Sequence, residues 1–117
     1  MSDPELLGMS TLEYHVLLAL ASKPLHGYAV KDAVARESGG AVLPRAGSMY
    51  RVIARLMSAG LVLETEPDED PEPHPGQPRR YYMLTAQGRA TLAAEARRLS
   101  RAAAMATRRL GAAESRS

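Results

Sequence analysis

Two short stretches rich in strand-forming residues, Leu61-Val62-Leu63-Glu64-Thr65-Glu66 and Arg80-Tyr81-Tyr82-Met83-Leu84-Thr85, are separated by residues 67–79, which hold five prolines and Gly76. Such a segment cannot close as a two-residue hairpin turn, so the two strands must pair around a long, extended, polar loop. What stands on either side of this pair reads as helix. Ser10-Thr11-Leu12-Glu13 is a capping box with Met9 and Tyr14 placed as a hydrophobic staple, and Leu12, Val16, Leu17 and Leu20 follow at helical spacing, which predicts a first helix over residues 11–21. Lys23-Pro24 breaks it. Val30, Ala33 and Val34 then carry a second helix that opens after His26-Gly27 and stops at Gly39-Gly40. A connection with Pro44 leads to a third, opened by Gly47-Ser48 and ended by Gly60.

After the strands, Thr85 is placed to cap a final helix in which Leu92, Ala96, Leu99, Ala103, Ala106 and Leu110 recur at alternating spacings of four and three. That is a coiled-coil seam. The residues from 111 to 117 are expected to fray. Helix, helix, helix, strand, strand, helix is the order of a winged helix-turn-helix, a mainly α chain with a small β-hairpin (an α+β fold) and a C-terminal dimerisation helix. The expected organisation is an N-terminal arm over residues 1–9 and a winged helix-turn-helix over 10–85. The long acidic wing loop spans 67–79, a dimerisation helix 86–110, and a tail 111–117.

Composition narrows the classes of function. At 117 residues the chain is one domain whose core is modest, and a second copy would bury surface it cannot bury alone. Cysteine is absent, which removes disulfides and thiolate metal sites and fits a reducing compartment. No apolar run approaches the roughly 20 residues of a membrane span, so a cytoplasmic protein is expected. The formal charge is only +2, but Glu64, Glu66, Asp68, Glu69, Asp70 and Glu72 are gathered in and beside the wing loop, leaving the rest of the chain markedly basic. A basic surface attracts a polyanion. With no Trp or Phe and five Tyr, the chain is poorly supplied for stacking unpaired bases, and duplex DNA is the better fit.

The third helix carries the chemistry. Projected at the helical period, Met49, Ile53, Leu56 and Met57 fall on one side and Ser48, Arg51, Arg55 and Ser58 on the other. Guanidinium groups beside short hydroxyls suit the major groove, where arginine forks onto guanine O6 and N7. Arg51 and Arg55 are therefore the expected base readers, and Ser48, Tyr50, Lys31, Arg79 and Arg80 the expected phosphate contacts. Tyr50 projects to the edge between the two faces, where it can either meet a phosphate or pack against the second helix. An arginine-bearing helix face is more often simply solvated; here the helix-turn-helix setting shifts the balance towards DNA.

The histidines offer no rival chemistry. His15, His26 and His74 are scattered without ligand spacing; His26 reads as a turn or capping residue, His15 as a surface or satisfied core residue. No nucleophile, base and orienting group can be assigned together, so an enzyme is the weakest reading, and no metal or cofactor is expected. Two rivals stay open: a dimeric winged-helix module that binds a basic protein through its acidic loop instead of DNA, and a regulator that senses a small molecule. The tip of the acidic loop is expected to bend away from a duplex or to contact something other than DNA.

Taken together, Leu17-Leu18-Ala19-Leu20, Leu25-His26-Gly27-Tyr28, Gly47-Ser48-Met49-Tyr50 with Leu56, Gly60-Leu61-Val62 and Arg80-Tyr81-Tyr82-Met83-Leu84-Thr85-Ala86-Gln87-Gly88 resemble the PadR family of transcription regulators over about residues 12–110. The resemblance implies a winged-helix dimer joined through its C-terminal helix and N-terminal region, usually a repressor of its own or a neighbouring gene acting at an inverted repeat. It implies that the segment matching Ser48 to Arg55 enters the major groove and that the tyrosine matching Tyr50 lies at the DNA interface. The single C-terminal helix looks like the short subfamily, whose members can bind planar drugs between dimer halves, a role for which this chain lacks Trp and Phe. Arg51 stands where the family often has proline, and the wing loop is longer and more acidic than usual.

Overall fold

The computed structural model of the chain describes residues 9–66 and 80–115, with side chains described to residue 112. The arm before Met9 and the acidic loop, with His74 and Arg79, lie outside the described residues. The elements run α1 (Thr11–Ala19), β1 (Leu25–His26), α2 (Gly27–Glu37), α3 (Ala46–Ser58), β2 (Val62–Thr65), β3 (Tyr81–Leu84) and α4 (Ala86–Ser115). This is mainly helical architecture with a small sheet, a winged helix with a C-terminal helix.

The capping box predicted for α1 is formed in both directions: the Glu13 N–H donates to Ser10 Oγ at 3.1 Å, and the Ser10 N–H donates to Glu13 Oε1 at 3.0 Å. The helix stops at Ala19, with Leu20 as its C-cap, rather than at residue 21. Its far side is the centre of the core, where Val16 and Leu17 are fully buried among Val30 and Val34 of α2 and Met49, Ile53 and Leu56 of α3. Each such side chain contributes about 1.5–3 kcal/mol by leaving water.

The expected hairpin is one part of a three-stranded antiparallel sheet ordered β1-β3-β2. Leu25 and His26 pair with Tyr82 and Tyr81, while Val62 to Thr65 pair with Leu84 to Tyr81 on the other side. A two-residue strand leaves no period-2 signal in sequence; it exists because the α1–α2 turn brings Leu25 to the open edge of β3. The central position of β3 explains why Tyr81, Tyr82 and Leu84 are all buried.

Gly60 ends α3 with φ of 79°, a left-handed conformation that glycine takes without penalty. The N–H of Gly60 reaches Met57 O at 3.0 Å and that of Leu61 reaches Leu56 O at 2.9 Å, the paired bonds of a Schellman stop. Thr85 then ties the turn to α4. Its Oγ1 donates to Gly60 O at 2.6 Å and accepts from the Gly88 N–H at 2.9 Å, so it caps α4 as its sequence predicts.

The first turns of α4 pack on the body: Leu92 joins the core, and Arg89 Nη1 donates to Ala21 O at 3.0 Å. From residue 97 to 112 every side chain is exposed. A helix of 30 residues is about 45 Å long, and its distal half accounts for the elongated shape, 65 Å in the longest direction. The expected fraying from residue 111 is corrected: α4 continues through Gly111 to Ser115. The alanines around Gly111 are the strongest helix formers and offset the roughly 1 kcal/mol that a helical glycine costs.

Glu95 is the one charged residue buried among the described residues, at 7 % exposure. Both its oxygens meet Arg98 at 2.7 Å, and Oε2 also accepts from the Met9 N–H at 3.4 Å. Arg98, its side chain half in solvent, is thus half of a bidentate pair. The Arg98 guanidinium holds the Glu95 carboxyl below the usual carboxylate range; burial opposes that and the Met9 N–H adds to it. A carboxyl depressed in the folded state contributes stability that is fully present above the unfolded pKa, about 4.3, and is lost as pH falls through the lower folded value. The melting temperature of wild type should therefore fall more steeply than that of Glu95→Gln as pH drops from about 5 to about 3. Parallel curves would show that the pair contributes nothing to folding.

Candidate nucleic-acid interface

The helix-turn-helix unit is α2, the turn over residues 38–45, and α3. His26 caps α2, its Nδ1 accepting the Ala29 N–H at 3.2 Å, so the expected capping role holds. Ser38 holds the turn: its Oγ accepts from the Val42 N–H at 2.9 Å and lies 3.2 Å from Ala35 O. The N-cap of α3 is Arg45, which makes no side-chain hydrogen bond to the helix.

On α3 the buried stripe is Met49, Val52, Ile53 and Leu56, with Met57 only half-buried. The expectation had Met57 in place of Val52. α3 packs against α1 and β2, and Arg55 lies within reach of α1. Arg51 is exposed, its guanidinium 3.4 Å from the half-buried Ser48 hydroxyl. Arg55 is exposed as well, with 61 % of its side chain in solvent, but its Nε lies 3.5 Å from Glu13 Oε2 on α1. The carboxyl of Glu13 is pushed up by partial burial, yet the hydrogen bonds from Ser10 and the Arg55 guanidinium together bring it below its ordinary value. It is ionised at neutral pH. The sequence displayed Glu13 as a capping residue; that its second oxygen faces α3 could not be seen without the packing of α1 on α3.

Tyr50 resolves towards packing without being buried. About half of its surface is exposed, while its ring lies so close over Gly27 that a Cβ there would come within 2.8 Å of Cε1 and Cζ. A side chain larger than hydrogen at the start of α2 would displace this ring. The buried Tyr82 phenol is pushed up by its burial, with Tyr50 and Glu64 nearby adding to the effect, so it stays a neutral hydroxyl. Lys31 is half-buried on α2. Arg80 stands at the root of β3, 3.5 Å from Glu64 on β2, with both side chains largely in solvent. Exposed pairs of that kind are worth about 0–1 kcal/mol and exchange readily for another anion. Ser48, Tyr50, Arg51 and Arg55 thus share α3, Lys31 lies on the adjoining α2, Arg80 immediately precedes β3, and Arg79 lies outside the described residues.

His15 departs from expectation. It is half-buried, edge-on to Tyr14 with centroids 5.8 Å apart, and its Nδ1 has no hydrogen-bond partner among the described residues. The expected dimer seam divides in two: Leu92 and Ala96 are half-buried against the protomer, while Leu99, Ala103, Ala106 and Leu110 lie uncovered, Leu99 at 39 % and Leu110 at 64 % exposure. No helix among the described residues is long and apolar enough to cross a membrane, and no group of acidic residues and histidines among them could hold a metal ion.

The sequence profile of the transcriptional regulator PadR-like family matches residues 16–94. An uncharacterized 37.1 kDa protein in transposon TN4556 of Streptomyces fradiae is 38 % identical over 86 residues, or 74 % of this chain. The chain spans 22 % of that relative's length. Among solved structures, a PadR-like transcriptional regulator from Bacillus cereus superposes with a TM-score of 0.71 at 20 % identity, covering 92 % of this chain and 97 % of that one. Bacillus subtilis PadR in complex with operator DNA superposes with a TM-score of 0.58 at 20 % identity, over 71 % of this chain and 45 % of that one. At such identities the likeness is one of fold.

Proposed function

The chain belongs to the PadR-like family of transcriptional regulators, and from that premise we propose that it is a homodimeric repressor that binds an inverted-repeat operator on duplex DNA in the cytoplasm. The observation that carries this reading is the disposition of α3, whose apolar stripe is sealed in the core while Arg51 and Arg55 remain in solvent. In this reading α3 lies in the major groove, with Arg51 and Arg55 forking onto guanines. Ser48, at the open first turn of α3, Tyr50, braced on Gly27, and Lys31, Arg79 and Arg80 meet phosphates. The uncovered distal seam of α4 joins two protomers, which places two α3 helices on successive half-sites about 34–36 Å apart.

Selection from a randomised duplex library, followed by titration of the enriched and a scrambled duplex at several salt concentrations, tests it. Arg51→Ala and Arg55→Ala should each weaken binding to the enriched duplex by about 1–3 kcal/mol and relax the preference at one base pair per half-site. Binding to the scrambled duplex should change far less, and affinity for both should fall steeply with salt. Equal losses on the two duplexes would remove the base-reading role, and no enriched sequence at all would remove the regulator reading.

A further inference from the structure

We infer that Glu13 is a positioning residue for DNA recognition: from α1, outside the helix-turn-helix, it holds the Arg55 guanidinium in the pose that reads a base. The inference rests on the proposed reading of Arg55 as a base reader. Glu13 is mounted rigidly at both ends. Its backbone belongs to the first turn of the helix that carries the fully buried Val16 and Leu17. Its side chain is fixed by the capping box, in which Oε1 accepts from the Ser10 N–H at 3.0 Å, and only 21 % of it is exposed. That leaves Oε2, and Oε2 faces Arg55 Nε at 3.5 Å. The ionised state of Glu13 at neutral pH keeps the contact charged.

The geometry divides the guanidinium. Its Nε side faces the carboxylate at 3.5 Å, which leaves the terminal Nη1/Nη2 fork, the part that matches guanine O6 and N7, for a ligand. An exposed arginine otherwise loses rotamer freedom when it is fixed against a base, and a partner that fixes it beforehand lowers that loss on binding.

Two effects of Glu13 on DNA binding oppose one another and can be separated. As a negative charge near a polyanion it weakens binding to every duplex, through a field that salt screens within about 8 Å at physiological ionic strength. As a brace for Arg55 it strengthens binding only to the duplex that offers Arg55 its base. The net consequence is specificity: Glu13 raises the ratio of operator to random binding even though it adds nothing to affinity for DNA at large.

The test is a double-mutant cycle of Glu13→Gln and Arg55→Ala, read as the ratio of affinities for the library-enriched duplex and a scrambled duplex of the same composition. Glutamine keeps the acceptor that the capping box requires, so the melting temperature should stay near that of wild type. Glu13→Gln alone should lower the ratio about two- to fivefold, the size of an ion pair with one partner exposed, while affinity for the scrambled duplex holds or rises. In the Arg55→Ala background the same change should leave the ratio unaltered, because the group it acts through is gone. If Glu13→Gln leaves the ratio intact while Arg55→Ala lowers it, the positioning role is overturned and the regulator reading stands. An equal gain on both duplexes, or a ratio loss that persists without Arg55, also overturns it. If wild type shows no preference for any sequence, the regulator reading falls and takes the positioning role with it.

Discussion

Replacing Gly88 by alanine is expected to destabilise the protein by about 3 kcal/mol and to lower its melting temperature by more than about 10 °C. The helical position alone would predict the reverse, since alanine is favoured over glycine by up to about 1 kcal/mol within a helix. Packing overrules propensity here. The first turn of α4 presses against the turn that follows α3, and a Cβ on Gly88 would enter the Leu61 carbonyl, with the carbonyl carbon at 3.0 Å. Neither side can yield cheaply. Leu61 O accepts the Thr85 N–H, Leu61 N–H closes the stop of α3, and Thr85 Oγ1 bridges Gly60 O and the Gly88 N–H. Gly111→Ala, where an added Cβ meets nothing within 4 Å, is the matched control and should be neutral or mildly stabilising. Thermal denaturation followed by circular dichroism checks both, and equal melting temperatures for the two variants would contradict the close approach.

The second large effect concerns association. Leu99→Glu should convert the protein to a monomer and reduce affinity for the operator by at least about 100-fold, the advantage that joining two half-site contacts confers. Leu99 is 39 % exposed on the outer half of α4 and has no place in the core. The substitution therefore leaves each protomer's packing intact while placing two carboxylates against one another across the seam. Sedimentation mass and operator titration together check the prediction. A variant that stays dimeric and binds as before would show that the uncovered stripe of Leu99, Ala103, Ala106 and Leu110 serves something other than self-association.

The two cases mark what could be read from the chain and what could not. Local chemistry was legible: the Ser10–Glu13 box, the His26 and Thr85 caps and the stop at Gly60 all depend on residues a few positions apart, and each occurs where the sequence places it, while the apolar stripe of α3 was legible except that Val52 is buried in place of Met57. The seam of α4 was legible as a pattern, but only the packing of Leu92 into the core separates its protomer-facing start from its uncovered remainder. The strand Leu25–His26 was not legible, because two residues form a strand only when β3 arrives from far along the chain.

Sequence by itself determined the order of the four helices and the two longer strands, the winged-helix class and the helix that carries the arginines, because helical period, capping and glycine stops are set by nearest neighbours along the chain. Tertiary structure alone decided which atoms those elements share: Tyr50 over Gly27, the Leu61 carbonyl against Gly88, and the second oxygen of Glu13 against Arg55. Those contacts join residues from 23 to 42 positions apart. A contact across such a distance depends on how helices settle against a common core, a cooperative packing outcome that no local window of residues encodes.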